Sequence, residues 1–354
     1  MSELDMISAL SEAFGPSGFE DDVLSVLRAY APQDCSVTED SLRNLYLRRP
    51  GGDNKPVVML DAHSDEIGFM VQAIRPDGTL KFLPLGGWTA ANIPAHRVLV
   101  RAKDGRLLPG VTGTKPPHFL TEAEKNKAPD VGSMWIDVGA SSVNEAREAY
   151  GIRPGAPVAP DVPFEYDAAH DLMIGKAFDN RLGCAAVLSA LRAIEGESLA
   201  VDVVGAVAAQ EEVGTRGAAV TARTVKPRIA IVFEGAPADD RGTESWLIQT
   251  AVHKGPMLRH LDTRMITNPR FQRFALDLAE QIGIPVQEAV RSGGSTDGAP
   301  IHLSEEGIPC VVIGFPVRYA HTHYGIASLE DFHSGVRLAV EIIRRLDDET
   351  VARF

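Results

Sequence analysis

The sequence predicts an α/β protein with a central mixed, largely parallel sheet flanked by helices, interrupted by a small all-β module. After residue 170, strand-like and helix-like segments alternate, which is typical of a parallel sheet. Between residues 69 and 163, short β-like pieces are separated by glycine and proline turns, which is typical of an all-β unit. We therefore predict one α/β domain over 1–68 and 164–354, with the β module inserted at 69–163.

Composition excludes several classes of protein. The chain has 354 residues, 44% of them hydrophobic and 23% charged, which excludes a disordered, fibrous or membrane-spanning chain. The net charge of −13 disfavours nucleic acid and anionic membranes as partners. The three widely spaced cysteines contain no CxxC, which fits a reducing compartment. The amino-terminal segment MSELDMISALSEAF lacks the basic and apolar parts of a secretory signal, so we expect a cytoplasmic protein.

Two helices and two strands are predicted before the β module. Ser2 is a suitable N-cap for a first helix, and an amphipathic helix follows over 19–31. The segment GPSG at 15–18 separates them. Residues 43–60 are predicted to form two strands joined by a Pro-Gly-Gly-Asp turn. The apolar run at 57–60 is typical of a strand buried on both faces.

The remaining elements follow from hydrophobic spacing. One helical piece, at 141–151, interrupts the β module. In the second part of the α/β domain the predicted elements are a helix at 180–194, strands at 199–209 and 228–235, a helix at 272–283, a strand at 308–317 and a final helix at 329–346.

His63 and Asp65 lie just beyond the apolar run that precedes them. On an extended chain, side chains two residues apart point to the same side. A carboxylate beside a histidine can accept its N–H and so select the tautomer that a metal ligand needs. An ordinary surface turn is the alternative interpretation of this short pattern.

Four further carboxylates stand out, in three segments of the chain. Asp179 directly precedes a predicted helix, where an N-cap is the alternative role. Glu211 and Glu212 follow the apolar strand at 199–209, so they are candidates for a metal ligand and a general base. A solvated charge pair is the alternative there. Glu234 ends the apolar run that begins at Ile229.

The pair His321 and His323 follows the last predicted strand, and spacing alone leaves open which of them binds a metal. In an open α/β sheet, ligands gather at the carboxyl ends of the strands. Three carboxylates and two imidazoles form a donor set suited to zinc, cobalt or manganese. We therefore predict a metal site built from His63, Asp179, Glu212, Glu234 and His321.

The chain resembles the tetrahedral (TET) aminopeptidases, dinuclear metallopeptidases related to the glutamyl aminopeptidases. The resemblance covers essentially the whole chain and is carried, in order, by GPSGFE, LDAHSDEIGFMV, KAFDNRLGC, QEEVGTRGA, GGSTDGAPIHLSEEGIPC and RYAHTHY. It implies a phosphorylase/hydrolase-like zinc peptidase body with an inserted, β-barrel-like dimerisation domain at 69–163. It also implies dimers that assemble into a hollow dodecamer.

The resemblance implies a metal-dependent aminopeptidase that hydrolyses N-terminal residues from short peptides. It implies that the nucleophile is a water bridged by two divalent ions, and that these ions are zinc, cobalt or manganese. The implied residue roles are His63, Asp179 and Glu234 at one ion, Asp179, Glu212 and His321 at the other, Asp65 orienting His63, and Glu211 as the general base.

Glu234 departs from the family pattern, in which aspartate is the commoner residue at this position. Related amino-acid deacylases accept glutamate there, so a metal-dependent N-acyl amino acid deacylase or amidase is the alternative function. Those deacylases carry their extra domain after the equivalent of Glu212, whereas the insertion here lies between His63 and Asp179. A catalytically weak scaffold relative is a third alternative, disfavoured by the complete set of candidate ligands.

Overall fold

The computed structural model describes residues 2–49, 51–52, 54–122, 127 and 129–354. The strands of this part of the chain are β1 (Ser36–Glu39), β2 (Leu45–Arg48), β3 (Val57–His63), β4 (Gly68–Ile74), β5 (Leu80–Leu85), β6 (Arg97–Arg101), β7 (Leu107–Gly113), β8 (Trp135–Asp137), β9 (Pro157–Pro160), β10 (Glu165–Asp167), β11 (Leu172–Gly175), β12 (Asp202–Ala208), β13 (Ile229–Pro237), β14 (Met257–Leu261), β15 (Gln287–Val290), β16 (Cys310–Val317) and β17 (Gly325–Ala327).

The helices in the described residues follow the same order. They are α1 (Glu3–Glu12), α2 (Asp21–Tyr30), α3 (Val143–Glu148), α4 (Phe178–Ala193), α5 (Arg216–Val225), α6 (Pro269–Ile282), α7 (Gly298–Ile301), α8 (Leu329–Arg345) and α9 (Asp348–Val351). Ser2 caps α1 as predicted, because its side chain accepts the N–H of Asp5 and the Asp5 carboxylate accepts the N–H of Ser2. Within the described part of the chain, every helix is too short or too polar to cross a membrane.

A mixed eight-stranded sheet forms the centre of the body, in the order β1-β2-β12-β3-β13-β16-β14-β15. The four central strands, β12, β3, β13 and β16, are parallel to one another. Strand β2 runs antiparallel to β12, and β14 runs antiparallel to β16. The predicted fold class is therefore confirmed, and the carboxyl ends of the parallel strands lie together at one edge.

Helices cover both faces of this sheet. Helix α4 packs on β3, β12, β13 and β16, while α5 packs on β12 and β3. Side chains along β3 alternate between the two layers: Val58 and Leu60 belong to the core under α4, and Met59 belongs to the core under α5. This alternation explains why the strand is an unbroken apolar run.

Strands β4, β5, β8, β7, β6 and β9 form a closed antiparallel barrel between Gly68 and Pro160. The barrel has its own core, in which Phe69 meets Phe82 edge to face with centroids 4.8 Å apart and stacks on Trp88 at 4.6 Å. Closure pairs the strands around the ring, so that the small unit has no open edge.

Two parts of the body differ from the sequence expectations. Strands β2 and β3 form as predicted, but they do not pair with each other. The apolar β12 lies between them and hydrogen bonds to both, which gives it the buried position. Helix α5 was not predicted from its sequence, which contains glycine and β-branched residues with low helix propensity. It is stabilised by packing, since Ala218 and Ala222 are fully buried against the sheet.

Candidate metal centre

The five predicted ligand side chains meet at the carboxyl edge of the parallel strands. His63 ends β3, Glu212 follows β12, Glu234 lies in β13, His321 follows β16, and Asp179 stands at the start of α4. They form two sets of three donor atoms, and within each set all the atoms lie within 4.8 Å of one another. One set is His63, Asp179 and Glu234, and the other is Asp179, Glu212 and His321.

Asp179 lies between the two histidines. Its Oδ1 is 3.2 Å from Nε2 of His63, and its Oδ2 is 3.4 Å from Nε2 of His321. Its side chain does not cap α4: Ala177 is the cap residue and no side-chain capping bond forms. Gly235 of β13 permits this close approach, since a Cβ there would lie 2.4 Å from the Cα of Asp179.

The ring of His63 is held in one orientation by Asp65. Nδ1 of His63 donates to the main-chain carbonyl of Asp65 over 3.2 Å and lies 3.4 Å from Oδ1 of the Asp65 carboxylate. A carbonyl oxygen only accepts, so Nδ1 carries a proton, which leaves Nε2, on the side of Asp179, as the nitrogen that can bind a metal ion.

Asp65 also holds the turn that carries Glu211 and Glu212. Its Oδ1 accepts the N–H of Glu211 over 2.8 Å, and its Oδ2 accepts the N–H of Glu212 over 3.2 Å. The hydroxyl of Ser17 donates to the same Oδ2 over 2.6 Å. Ser17 belongs to the GPSGFE segment, to which sequence reasoning had assigned no function.

Glu234 lies inside β13 instead of at its end. The strand continues to Pro237 because residues 235–237 stay in parallel register with Phe315–Val317 of β16. Nδ2 of Asn180 lies 3.4 Å from Oε2 of Glu234 and donates to the carbonyl of Phe233 over 2.9 Å. Asn180 therefore links the start of α4 to this part of β13.

His321 and His323 occupy different surroundings, although they follow the same strand. Nε2 of His321 is 3.4 Å from both Asp179 Oδ2 and Glu212 Oε2. His323 is 1% exposed and stacks on His96 with ring centroids 4.0 Å apart. His321 is thus the histidine of the donor cluster, and His323 packs against the barrel.

The carboxylates of the centre are crowded and buried. Burial and the negative charge of Asp179 raise the pKa of Glu212 and of Glu234 well above the usual range. Burial, with the charges of Asp65 and Asp179, raises the pKa of Glu211 to about 7. Removing such groups from water is costly unless a cation compensates their charge. The oxygen and imidazole donors present therefore fit divalent metal ions of the zinc type.

A cavity of about 670 Å³ opens beside the centre. Asp179, Glu211, Glu212, Glu234 and His321 line one side of it. The 291–295 loop, which includes Arg291, and two further arginines, Arg259 and Arg264, also line it. Sequence reasoning missed Arg259 and Arg264, because β14, which contains the first and precedes the second, runs antiparallel to β16, and the strand-end rule does not apply to it.

Comparison with known proteins agrees with this geometry. The model of the M42 glutamyl aminopeptidase family matches residues 43–338. A glutamyl aminopeptidase of Lactococcus lactis subsp. cremoris is 32% identical over 362 residues, covering 100% of this chain and 99% of that protein. A lysyl aminopeptidase of Pyrococcus furiosus is 29% identical over 353 residues, covering 98% of each.

A solved structure shows the same fold. The TET aminopeptidase from the marine sediment archaeon Thaumarchaeota archaeon SCGC AB-539-E09 superimposes with a TM-score of 0.94 at 38% sequence identity, covering 99% of this chain and 98% of that chain. The relatives are aminopeptidases, so the deacylase alternative is not favoured. The chain therefore belongs to the M42 glutamyl aminopeptidase family and is a metal-dependent aminopeptidase.

Proposed function

We propose that this aminopeptidase removes the N-terminal residue of short peptides with two divalent ions, which the two donor sets hold. The observation that carries the proposal is the position of Asp179, whose two carboxylate oxygens face the histidines of different sets. His63 and Glu234 complete one set, and Glu212 and His321 complete the other. A carboxylate placed in this way can offer one oxygen to each of two ions.

When bound, the ions supply Lewis-acid polarisation of the scissile carbonyl and lower the pKa of an attacking water. Glu211 acts as the general base in this proposal: a carboxylate oxygen takes the proton of the water and returns it to the leaving amine. Asp65 positions Glu211 by accepting its main-chain N–H and orients His63 beside it.

We further propose zinc or cobalt, or manganese, as the native metal, because imidazole with carboxylate is a donor set that these ions share. The three cysteines, Cys35, Cys184 and Cys310, are free thiols, which supports a cytoplasmic location in the same proposal.

Hydrolysis of aminoacyl-p-nitroanilides tests the function directly. Metal-stripped protein is assayed beside protein restored with zinc, cobalt or manganese, and each substrate is paired with its N-acetylated form. We expect release of nitroaniline that depends on metal and on a free amine. Hydrolysis of the N-acetylated substrates instead would favour a deacylase, and no release from either form would contradict an enzymatic role.

The barrel supports a proposal about assembly. We take residues 1–68 and 164–354 as the catalytic domain and 69–163 as a dimerisation domain. In this proposal the protein is a homo-oligomer, in which dimers assemble into a dodecamer. Apolar side chains are exposed on the barrel strands: Leu83 is 51% and Val111 47% exposed in the single chain. The fold match to a TET aminopeptidase also supports it. Light scattering measures the mass of the wild-type assembly and of the Leu83→Glu variant. A monomeric wild type would contradict the proposed assembly.

A further inference from the structure

We infer that the amino-terminal segment of residues 15–20, GPSGFE, positions the general base. Ser17 and Glu20 of this segment hold the turn that carries Glu211, which we call the base turn (residues 210–215). The inference rests on the proposed function, in which Glu211 is the base. The described residues that line the cavity beside the metal centre do not include Ser17 or Glu20, so both are positioning residues.

Ser17 reaches the base turn through Asp65. Ser17 is 5% exposed, and its hydroxyl donates to Oδ2 of Asp65 over 2.6 Å. The same oxygen accepts the N–H of Glu212, and Oδ1 accepts the N–H of Glu211. Ser17 therefore fixes the carboxylate on which two consecutive main-chain N–H groups of the base turn depend.

Glu20 holds the first residue of the base turn. Its Oε1 accepts the N–H of Gln210 over 3.2 Å and the N–H of Gly18, in its own segment, over 2.8 Å. Gln210 has a φ of +58°, a left-handed conformation that is unfavourable for a residue with a side chain. The hydrogen bond from Glu20 stabilises this conformation directly before Glu211.

The local surroundings of Glu20 do not explain its burial. It occupies the N-cap position of α2, yet its side chain makes no capping hydrogen bond. It is 0% exposed, and among the residues that the structure describes its Oε2 has no hydrogen-bond partner. Burying a carboxyl group with an unpaired oxygen is costly. The contact that this cost maintains reaches Gln210, 190 positions away.

The carboxyl groups of Asp65 and Glu20 lie close to each other. Burial, with the charge of Asp65, raises the pKa of Glu20 to about 7. Hydrogen-bond donors must compensate two such groups away from water. The donors are the Ser17 hydroxyl and the main-chain N–H groups of residues 18, 210, 211 and 212. The segment and the base turn therefore meet around these two carboxyl groups.

The 15–20 segment is itself attached to the body of the protein. The N–H of Gly15 donates to Oε1 of Glu66 over 3.2 Å, and its carbonyl accepts the N–H of Glu66 over 3.0 Å. The guanidinium of Arg181, on α4, donates to the same carbonyl over 3.2 Å. Glu66 is in turn paired with the buried Lys176 over 2.6 Å. The segment can therefore hold the base turn from a fixed position.

Hydrogen exchange of the metal-free protein tests these contacts without an assay of activity. Mass spectrometry follows the amides of peptides that cover residues 209–213. Ser17→Ala and Glu20→Ala should each raise the exchange rate there by on the order of tenfold to a hundredfold, as for the loss of a hydrogen bond to a charged group.

Ser328→Ala is the matched control for Ser17→Ala. Ser328 is also buried, and its hydroxyl also donates to a carboxylate, that of Asp171, over 2.5 Å. Asp171 likewise accepts a main-chain N–H, from Glu330 over 3.1 Å. The control should lower the free energy of unfolding and leave both kcat and the exchange of residues 209–213 as in the wild type.

Kinetics of the metal-loaded enzyme test the effect on the base. On the aminoacyl-p-nitroanilide that the wild type cleaves fastest, Ser17→Ala and Glu20→Ala should lower kcat by on the order of tenfold to a hundredfold, as for a small displacement of a reacting group. KM should change little, and both variants should still bind two ions at saturating metal.

Glu20→Gln separates hydrogen bonding from charge. Its amide oxygen can accept the same N–H groups, and its amide nitrogen replaces an oxygen that already lacks a partner among the described residues. The exchange rate and kcat should therefore stay close to those of the wild type. A low kcat in Glu20→Gln with protected amides would show that the charge of Glu20 matters and not its hydrogen bonds, which would overturn its positioning role.

The other outcomes separate this inference from the proposed function. Unchanged exchange of residues 209–213 in both alanine variants would overturn the inference. Faster exchange with an unchanged kcat would also overturn it, because the base turn would then be loosened without an effect on the base. Loss of a bound ion in Glu20→Ala would show that the segment acts on a ligand instead. A wild type that hydrolyses no substrate would contradict the proposed function, while the exchange rates would still decide whether the segment holds the turn.

Discussion

Nδ1 of His321 donates a hydrogen bond to the main-chain carbonyl of Gly87 over 3.0 Å. Gly87 lies between β5 and β6 of the barrel, whereas His321 follows β16 of the central sheet. The carbonyl only accepts, so Nδ1 carries the proton and Nε2 faces Asp179 and Glu212. A residue of the barrel therefore selects the tautomer of a candidate ligand in the body.

This contact predicts the effect of Gly87→Ala. A Cβ at residue 87 would lie 2.9 Å from Nδ1 of His321, so the ring must move. Loss of such an orienting contact typically costs about 10- to 100-fold in metal affinity. Titration with zinc should show one weakened ion per chain and one that is unchanged.

The control for this prediction is Gly132→Ala, also in the barrel region. Its Cβ would meet only the flexible side chain of Asp130, at 3.3 Å, and both ions should bind as in the wild type. Two ions bound with wild-type affinity in Gly87→Ala would show that Gly87 has no part in positioning His321.

Glu211→Gln should remove most turnover and leave the metal content intact. The amide keeps the shape of the side chain but cannot accept and return a proton, which predicts a loss in kcat of about 10²- to 10⁴-fold. Metal analysis and kcat are measured on the same preparation. Glu195→Gln, an exposed glutamate beyond the end of α4, is the control. A Glu211→Gln enzyme that keeps most of its kcat would remove Glu211 from the role of base.

Glu234→Ala should lower the occupancy of one ion only, because Glu234 belongs to one of the two donor sets. Glu234→Asp is the matched variant, since it keeps the carboxylate on a shorter side chain and should retain more metal than the alanine variant. Metal analysis after gel filtration measures both. If Glu234→Ala still holds two ions per chain, this residue is not a ligand.

The contact between His333 of α8 and Glu3 of α1 predicts a small dependence of stability on pH. Nε2 of His333 lies 2.6 Å from Oε2 of Glu3, and this hydrogen bond raises the pKa of His333 above 6.5 in the folded state. The stabilisation is fully present below the unfolded pKa and disappears as the pH rises through the folded pKa. Both side chains are partly exposed, so it should stay below about 1 kcal/mol.

Denaturant unfolding of the wild type and of His333→Gln measures this effect. The difference in the free energy of unfolding should be larger at pH 6 than at pH 9. An equal difference at both values would show that the pair adds nothing that depends on the proton of His333.

Much of the donor cluster could be predicted from one rule, which is that ligands gather at the carboxyl ends of parallel strands. His63, Glu212 and His321 all follow apolar strands, and the parallel order of those strands brings their carboxyl ends to one edge. Glu234 was placed correctly near that edge, although β13 continues beyond it because it stays paired with β16. Spacing did not distinguish His321 from His323, since both follow the same strand; the resemblance implied His321, and the structure places that histidine beside Asp179 and Glu212.

The residues that sequence reasoning missed act through distant contacts. Ser17 reaches Asp65 from 48 positions away, and Gly87 reaches His321 from 234 positions away. Nη1 of Arg264 donates to the hydroxyl of Thr215, which lies 49 positions away. No local pattern encodes such contacts.

The sequence by itself determined the fold class, the strand ends that bear the candidate ligands and the chemistry of their donors, because hydrophobic period and residue type are local properties of the chain. Only the tertiary structure decided which side chains meet, which charges are already paired and where helix α5 forms. These depend on packing between segments far apart in sequence, and packing energy outweighs local propensity there.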